Sequence, residues 1–163
     1  MAIAIHLITN FDLLAGRRVR STHYPQYNAF LFGVLTYYVS DAAWGILAGL
    51  GWTRALYVDT VLYFLSIVTF VFLLSRFVTA YLSLGKWTTR ILAWYGYAII
   101  VFNIVLLTAN IFDNCFFYFD EHGTYLIGDK RYLAFSFQIV FNILIALFVL
   151  IKALTSRDSV RRR

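Results

Sequence analysis

Residues 55–82 read ALYVDTVLYFLSIVTFVFLLSRFVTAYL, an apolar run broken only by Asp59 near its start and Arg76 near its end. A bilayer core takes about 20 consecutive apolar residues in a helix, so this stretch is predicted to cross a membrane. Three further stretches share its character. They run from about 28–50 (NAFLFGVLTYYVSDAAWGILAGL), 91–112 and 132–154.

Composition agrees with that reading. The 163 residues are 61% hydrophobic and 13% charged, whereas a soluble domain is about one-quarter charged. Such a surplus of apolar surface calls for a lipid bilayer as partner. Pro25 is the one proline, and neither a Gly/Ser-rich linker nor an internal repeat interrupts the chain. Residues 1–163 therefore read as a single transmembrane domain.

The N-terminal MAIAIHLITNFDLL is apolar but short, and carries His6, Asn10 and Asp12. It reads either as the tail of a helix whose beginning is absent or as a short interfacial helix. It is not a secretory signal, because Arg17, Arg18 and Arg20 follow the apolar run rather than precede it.

Orientation follows from the basic residues. Arg17, Arg18 and Arg20 precede the first span; Arg76, Lys86 and Arg90 surround the second connection; Lys152, Arg157 and Arg161 to Arg163 accompany the end of the fourth. All three groups fall on one side, which the positive-inside rule makes cytoplasmic, together with both termini. The opposite side holds Arg54, Lys130 and Arg131, offset by Asp113, Asp120, Glu121 and Asp129. A multi-pass cell-membrane location also accounts for the net charge of +6 better than nucleic acid does, because the cations sit at span ends rather than along a polar face.

Between the third and fourth spans, at about 113–131, FFYFDEHGTYLIGDKRY sets two aromatic and β-branched runs around DEHG. Gly123 can supply a positive φ, so a small extracytoplasmic β-hairpin is expected. The predicted fold is thus an all-α membrane bundle of four transmembrane helices, a short N-terminal helix and that hairpin. His122, Asp120 and Glu121 are adjacent and point in different directions along a strand, which argues against a metal. Cys115 is the one cysteine and excludes an internal disulfide.

Polar residues within the spans carry the functional signal, because hydrocarbon disfavours them unless they face the bundle interior or a cavity. Ser40 and Asp41 lie in the first span; Asp59, Tyr63 and Ser66 share a face of the second; Asn103 and Asn110 share one of the third; Gln138 and Asn142 one of the fourth. At about 1.5 Å per residue, Asp41, Asn103 and Asn142 fall near the midplane, and Asp59, Asn110 and Gln138 in the outer half. These stripes are expected to converge on an outward-opening pocket floored by Asp41 and walled by the amides, with Tyr37, Tyr38 and Trp44 as aromatic lining. A carboxylate among aromatics suits a small polar or cationic ligand. The amides have a second reading as interhelical hydrogen-bond glue, and Asp59 as a residue solvated or paired with Arg54.

No phosphate-binding glycine loop, zinc-type His/Glu pair or Ser/His/Asp set is present. His6, His23 and His122 all lie outside the spans. No catalytic residue, cofactor or metal is expected, and the chain reads as a non-enzyme.

The segments YNAFLFGVLTYYVSDAAWGIL, YVDTVLYFLSIVTFVFLLSRFVTAYL and FFYFDEHGTYLIGDKRYLAF resemble the N-terminal multi-helix sensor regions of clostridial GGDEF diguanylate cyclases. The resemblance covers about 24–154 and rests on SDAAWG, YVDTVLYFLS and the F-F-x-F-D-E-x-G-x-Y hairpin, with Asp41, Trp44, Asp59, Asp120 and Gly123 at its most recognisable positions. It implies a membrane region that senses a signal and passes it to a cytoplasmic domain making cyclic di-GMP. This sequence lacks the beginning of the first helix and ends at RDSVRRR before any GGDEF-like stretch. It is therefore expected to be a fragment, a truncated product or a stand-alone relative, and no catalysis carries over.

The expected function is a sensory or signal-transmitting membrane module, with a homodimer or a cytoplasmic signalling domain as partner. The alternatives are a small transporter or channel subunit, with Asp41 on an ion path, and a structural subunit of a membrane complex.

Overall fold

A computed structural model describes residues 2–14 and 24–161, with side chains over 2–11 and 25–155. Arg17, Arg18, Arg20, His23, Arg162 and Arg163 lie outside the described residues, as do the side chains of Asp12, Arg157 and Arg161. Five helices and one hairpin follow in the order α1 (Ala2–Leu14), α2 (Tyr24–Gly49), α3 (Thr53–Tyr81), α4 (Lys86–Asp113), β1 (Phe117–Phe119), β2 (Tyr125–Ile127) and α5 (Lys130–Arg161). Helices α2 to α5 are long and apolar enough to cross a bilayer. The chain is a multi-pass membrane protein of the expected fold class.

The helices overrun the apolar stretches. Helix α2 starts at Tyr24 rather than near Asn28, α4 at Lys86 rather than near Ile91, and α5 continues to Arg161 beyond Leu154. Backbone hydrogen bonding does not stop where hydrocarbon does, and Pro25 is tolerated in the first turn because the N–H groups there have no intrahelical acceptor.

Helix α3 is central. It packs most extensively on α2, then on α4, and also touches α5 and β1; α1 packs on α2, and α5 on α4. Lipid gives no hydrophobic push between helices, so close approach of small residues decides these contacts. Gly33 lets α2 lie on α3, where a Cβ would come within 3.0 Å of Leu73 and 3.2 Å of Phe70. Gly96 receives the rings of Phe72 and Phe141 with no room for a side chain.

The interior forms two layers. Phe64, Leu106, Leu107, Phe116, Phe117 and Ala134 fill the hairpin end. Val68, Val71, Leu92, Ile99, Phe141 and Ile145 fill the other. The short helix α1 is tied to α2 through His6, whose Nε2 lies 3.2 Å from the Leu31 carbonyl oxygen and whose ring meets Tyr38 edge-on.

The hairpin forms as expected, antiparallel with Phe117 opposite Ile127, Tyr118 opposite Leu126 and Phe119 opposite Tyr125. Gly123 has φ +78. The Asp120 carboxylate accepts from the His122 and Thr124 amides at 2.9 and 2.7 Å, so it closes the turn. Among the described residues no group of three or more His, Cys, Asp or Glu is placed to hold a metal. The hairpin does not stand off the bundle. Phe116 and Phe117 have no exposed surface and pack on Phe64, with ring centroids 4.8 and 5.9 Å away.

Candidate functional site

The polar stripes do not all converge. Helix α2 lies on the face of α3 away from the polar residues of α4 and α5, so Asp41 is separated from the amides expected to surround it. Hydropathy gives each span its depth but not its neighbours, and the neighbour order places these residues in four different surroundings.

Asn110 on α4 is a structural clamp. Its Oδ1 accepts from the Phe116 and Phe117 amides at 2.7 and 3.0 Å, and its Nδ2 donates to the Phe117 carbonyl at 2.9 Å and the Tyr57 hydroxyl at 3.3 Å. Three of these bonds hold the hairpin segment on the bundle, and the fourth ties α4 to α3. Asn103, between the two apolar layers, is also fully buried; its Nδ2 donates to the Ile99 carbonyl at 2.9 Å, while its Oδ1 has no partner among the described residues. Asn103→Leu should therefore leave stability within about 1 kcal/mol of the parent or raise it, since an unpaired buried acceptor is removed. A large fall in melting temperature in detergent would instead show that this amide has a partner. Gln138 is buried on α5. Asn142 is exposed on α5 rather than turned inward.

Asp59 is buried but does not pair with Arg54, which is exposed. Five residues apart on a helix, the two side chains point to different faces. Asp59 instead accepts from Ser40 at 3.1 Å, which joins α3 to α2, and lines a groove with Gly33, Thr36, Ser66 and Thr69.

Asp41 does line a pocket. Its companions are Trp44 from α2, Thr60, Tyr63 and Phe64 from α3, Tyr125 from the hairpin and Arg131 from the first turn of α5, around a cavity of about 280 Å³. The hairpin and the start of α5 place this pocket at the hairpin end of the bundle, not at its middle. Trp44 donates from Nε1 to Thr60 Oγ1 at 3.2 Å, and its ring meets Tyr125 edge-on at 6.2 Å. Tyr37 is not among the pocket-lining residues; its ring meets those of Tyr63 and Phe70 at a tilt, 5.5 Å from each. Tyr38 turns away toward α1.

Arg131 is the residue that sequence reading left out of the site. Its guanidinium lies over Phe64, Tyr125 and Phe135, 5.2, 5.7 and 5.1 Å from the ring centroids, and Nη1 donates to the Tyr125 hydroxyl at 2.8 Å. As one of several cations at a span end it carried only an orientation signal. Its position two residues after Asp129 in FFYFDEHGTYLIGDKRY is where a hairpin returns chain to the bundle, and that was the available clue. Burial pushes the Tyr125 phenol up from its ordinary pKa, with Arg131 acting in the opposite direction. It therefore remains a neutral phenol at physiological pH.

The neighbouring Lys130 pairs with Asp113 at 3.1 Å across the hairpin base, but both groups are about half exposed, so the pair contributes little. Cys115 is free and partly buried; burial first, and then its Asp113 contact, raise its pKa. It is a thiol rather than a reactive thiolate at neutral pH.

The fold and pocket together define a helical membrane protein with an aromatic site of mixed charge at one end. No protein-family model, curated protein or solved structure matches the chain.

Proposed function

We propose that this chain is a membrane-embedded, non-catalytic sensory module that binds a small polar ligand on the extracytoplasmic side and relays the event through α5 to a cytoplasmic output. Cyclic di-GMP synthesis is the output implied by the resemblance to clostridial GGDEF cyclases. One observation carries the reading: the helix that gives Arg131 to the pocket runs unbroken for 32 residues to Arg161. At 1.5 Å per residue that is about 48 Å, longer than the roughly 30 Å hydrocarbon core.

A ligand that contacts Arg131 together with Asp41 and Trp44 couples the first turn of α5 to α2. It can bias two packings of α5 on its neighbours only through such differential contacts. Orientation is supported by charge. Arg76, Lys86, Arg90 and Lys152 cluster at the end opposite the hairpin, whereas Asp113, Asp120, Glu121 and Asp129 accompany the hairpin end.

The test uses spin labels at Lys86 and Thr155, both exposed at the end opposite the hairpin, in a Cys115→Ser background reconstituted in nanodiscs. A panel of amino acids, choline, betaine and short dicarboxylates is added. At least one compound should shift the distance distribution, and Asp41→Asn should abolish the shift. A compound that binds without moving the labels would defeat the relay.

Transport is less well supported, because the layer beyond the pocket is built largely from Val68, Val71, Leu92, Ile99, Phe141 and Ile145, and among the described residues the buried polar ones at and beyond that depth, Ser66, Ser75 and Thr79 on α3 and Asn103 on α4, include no charged group. Asp41-dependent flux of a bound compound in proteoliposomes would replace sensing with transport.

A further inference from the structure

From the two charges in the pocket wall we infer that the ligand is a small zwitterion, an α-amino acid or close analogue whose ammonium meets Asp41 and whose carboxylate meets Arg131; this rests on reading the pocket as a ligand site. Asp41 and Arg131 line the same cavity. Among the described residues they form no ion pair with each other. Two opposite charges that share a cavity without touching leave room for a molecule that carries the complement of both.

Arg131 is already held for such a role. Three aromatic faces and the Tyr125 hydroxyl fix its plane. Only Nη1 is engaged by that bond, so the other N–H donors of the fork remain to grip a carboxylate in the bidentate manner that suits it. Trp44 and Tyr63 line the cavity with Asp41, and a carboxylate beside aromatic faces is a favourable setting for an ammonium. The volume, about 280 Å³, lies at the small end of ligand sites and suits a molecule of amino-acid size.

Singly charged ligands fit less well. A cation would face Arg131 and an anion would face Asp41, each with a like-charge penalty, while a neutral ligand would leave both groups unpaired.

The experiment measures equilibrium binding to the full chain in nanodiscs, with L-leucine, L-phenylalanine and L-glutamine each compared with its amide and its N-acetyl derivative. The amide keeps only the positive charge and the N-acetyl form only the negative. At least one zwitterion should bind about 10- to 100-fold more tightly than either derivative, the range expected for losing one charged hydrogen bond. Asp41→Asn should shift preference toward the N-acetyl form, and Arg131→Gln toward the amide. Melting temperature is followed in parallel, and Arg131→Lys should restore part of the carboxylate affinity.

Amides that bind as well as the free amino acids, or absence of binding across all three series, would overturn the inference. Its failure is separable from that of the relay. An amide that binds and moves the α5 labels would refute the zwitterion while leaving sensing in place, and a zwitterion that binds without moving them would do the reverse.

Discussion

Replacing Asn110 with leucine is expected to lower unfolding stability by about 3–9 kcal/mol, because two backbone N–H groups and one carbonyl lose their partner and each unsatisfied group costs about 1–3 kcal/mol. The groups are the amides of Phe116 and Phe117 and the carbonyl of Phe117. Both residues have no exposed surface, so water cannot substitute without the hairpin lifting away. The loss is read from reversible unfolding in mixed micelles and from hydrogen exchange at the two amides, which should accelerate together. Ligand binding should fall as well, since the hairpin brings Tyr125 into the pocket and precedes Arg131 directly. Unchanged exchange at Phe116 and Phe117 would show that the hairpin is held by its aromatic packing alone. The contrast with Asn103→Leu matters: two equally buried asparagines on one helix should differ by several kcal/mol according to what their side chains bond.

Gly128→Ala should be the most disruptive of the glycine substitutions. A Cβ at Gly128 would overlap the carbonyl carbon and oxygen of Cys115 and the nitrogen of Phe116. Those atoms are backbone and cannot rotate aside as a ring can. The two chain segments would have to separate, which breaks the bonds from the Gly128 amide to the Phe116 carbonyl at 3.0 Å and from the Lys130 amide to the Cys115 carbonyl at 2.9 Å. Overpacking and two lost hydrogen bonds together predict a loss of about 3 kcal/mol or more. Gly45→Ala is the matched control, because open space surrounds that position and alanine favours a helix by up to about 1 kcal/mol. Equal melting temperatures for Gly128→Ala and the parent would mean that the hairpin base can rearrange freely.

Both substitutions act where the chain leaves α4 and returns to α5, and that is also where the pocket is assembled. Stability of the hairpin and occupancy of the site are therefore linked. A ligand that bridges Asp41 and Arg131 should in turn protect the hairpin amides from exchange.

The sequence by itself determined the solvent, the four crossings and the hairpin, because these depend on runs of neighbouring residues: about 20 apolar positions for a span, and alternating aromatics around a glycine for a turn. It also marked Asp41, whose charge within an apolar run needs a cavity wherever the helix lies. Tertiary structure alone decided which polar residues meet. Helix α2 packs on α1 and α3, so Asp41 faces the hairpin and Arg131 instead of the amides of α4 and α5. Asn110, Asn103 and Asn142 look alike in sequence, yet one clamps a hairpin, one is buried with an oxygen that has no partner among the described residues and one is exposed. The reason is physical: depth in a bilayer follows from local hydropathy, whereas the order of helices around a bundle follows from the shape of their contacts, such as Gly33 against Phe70 and Gly96 under Phe72, which no local pattern encodes.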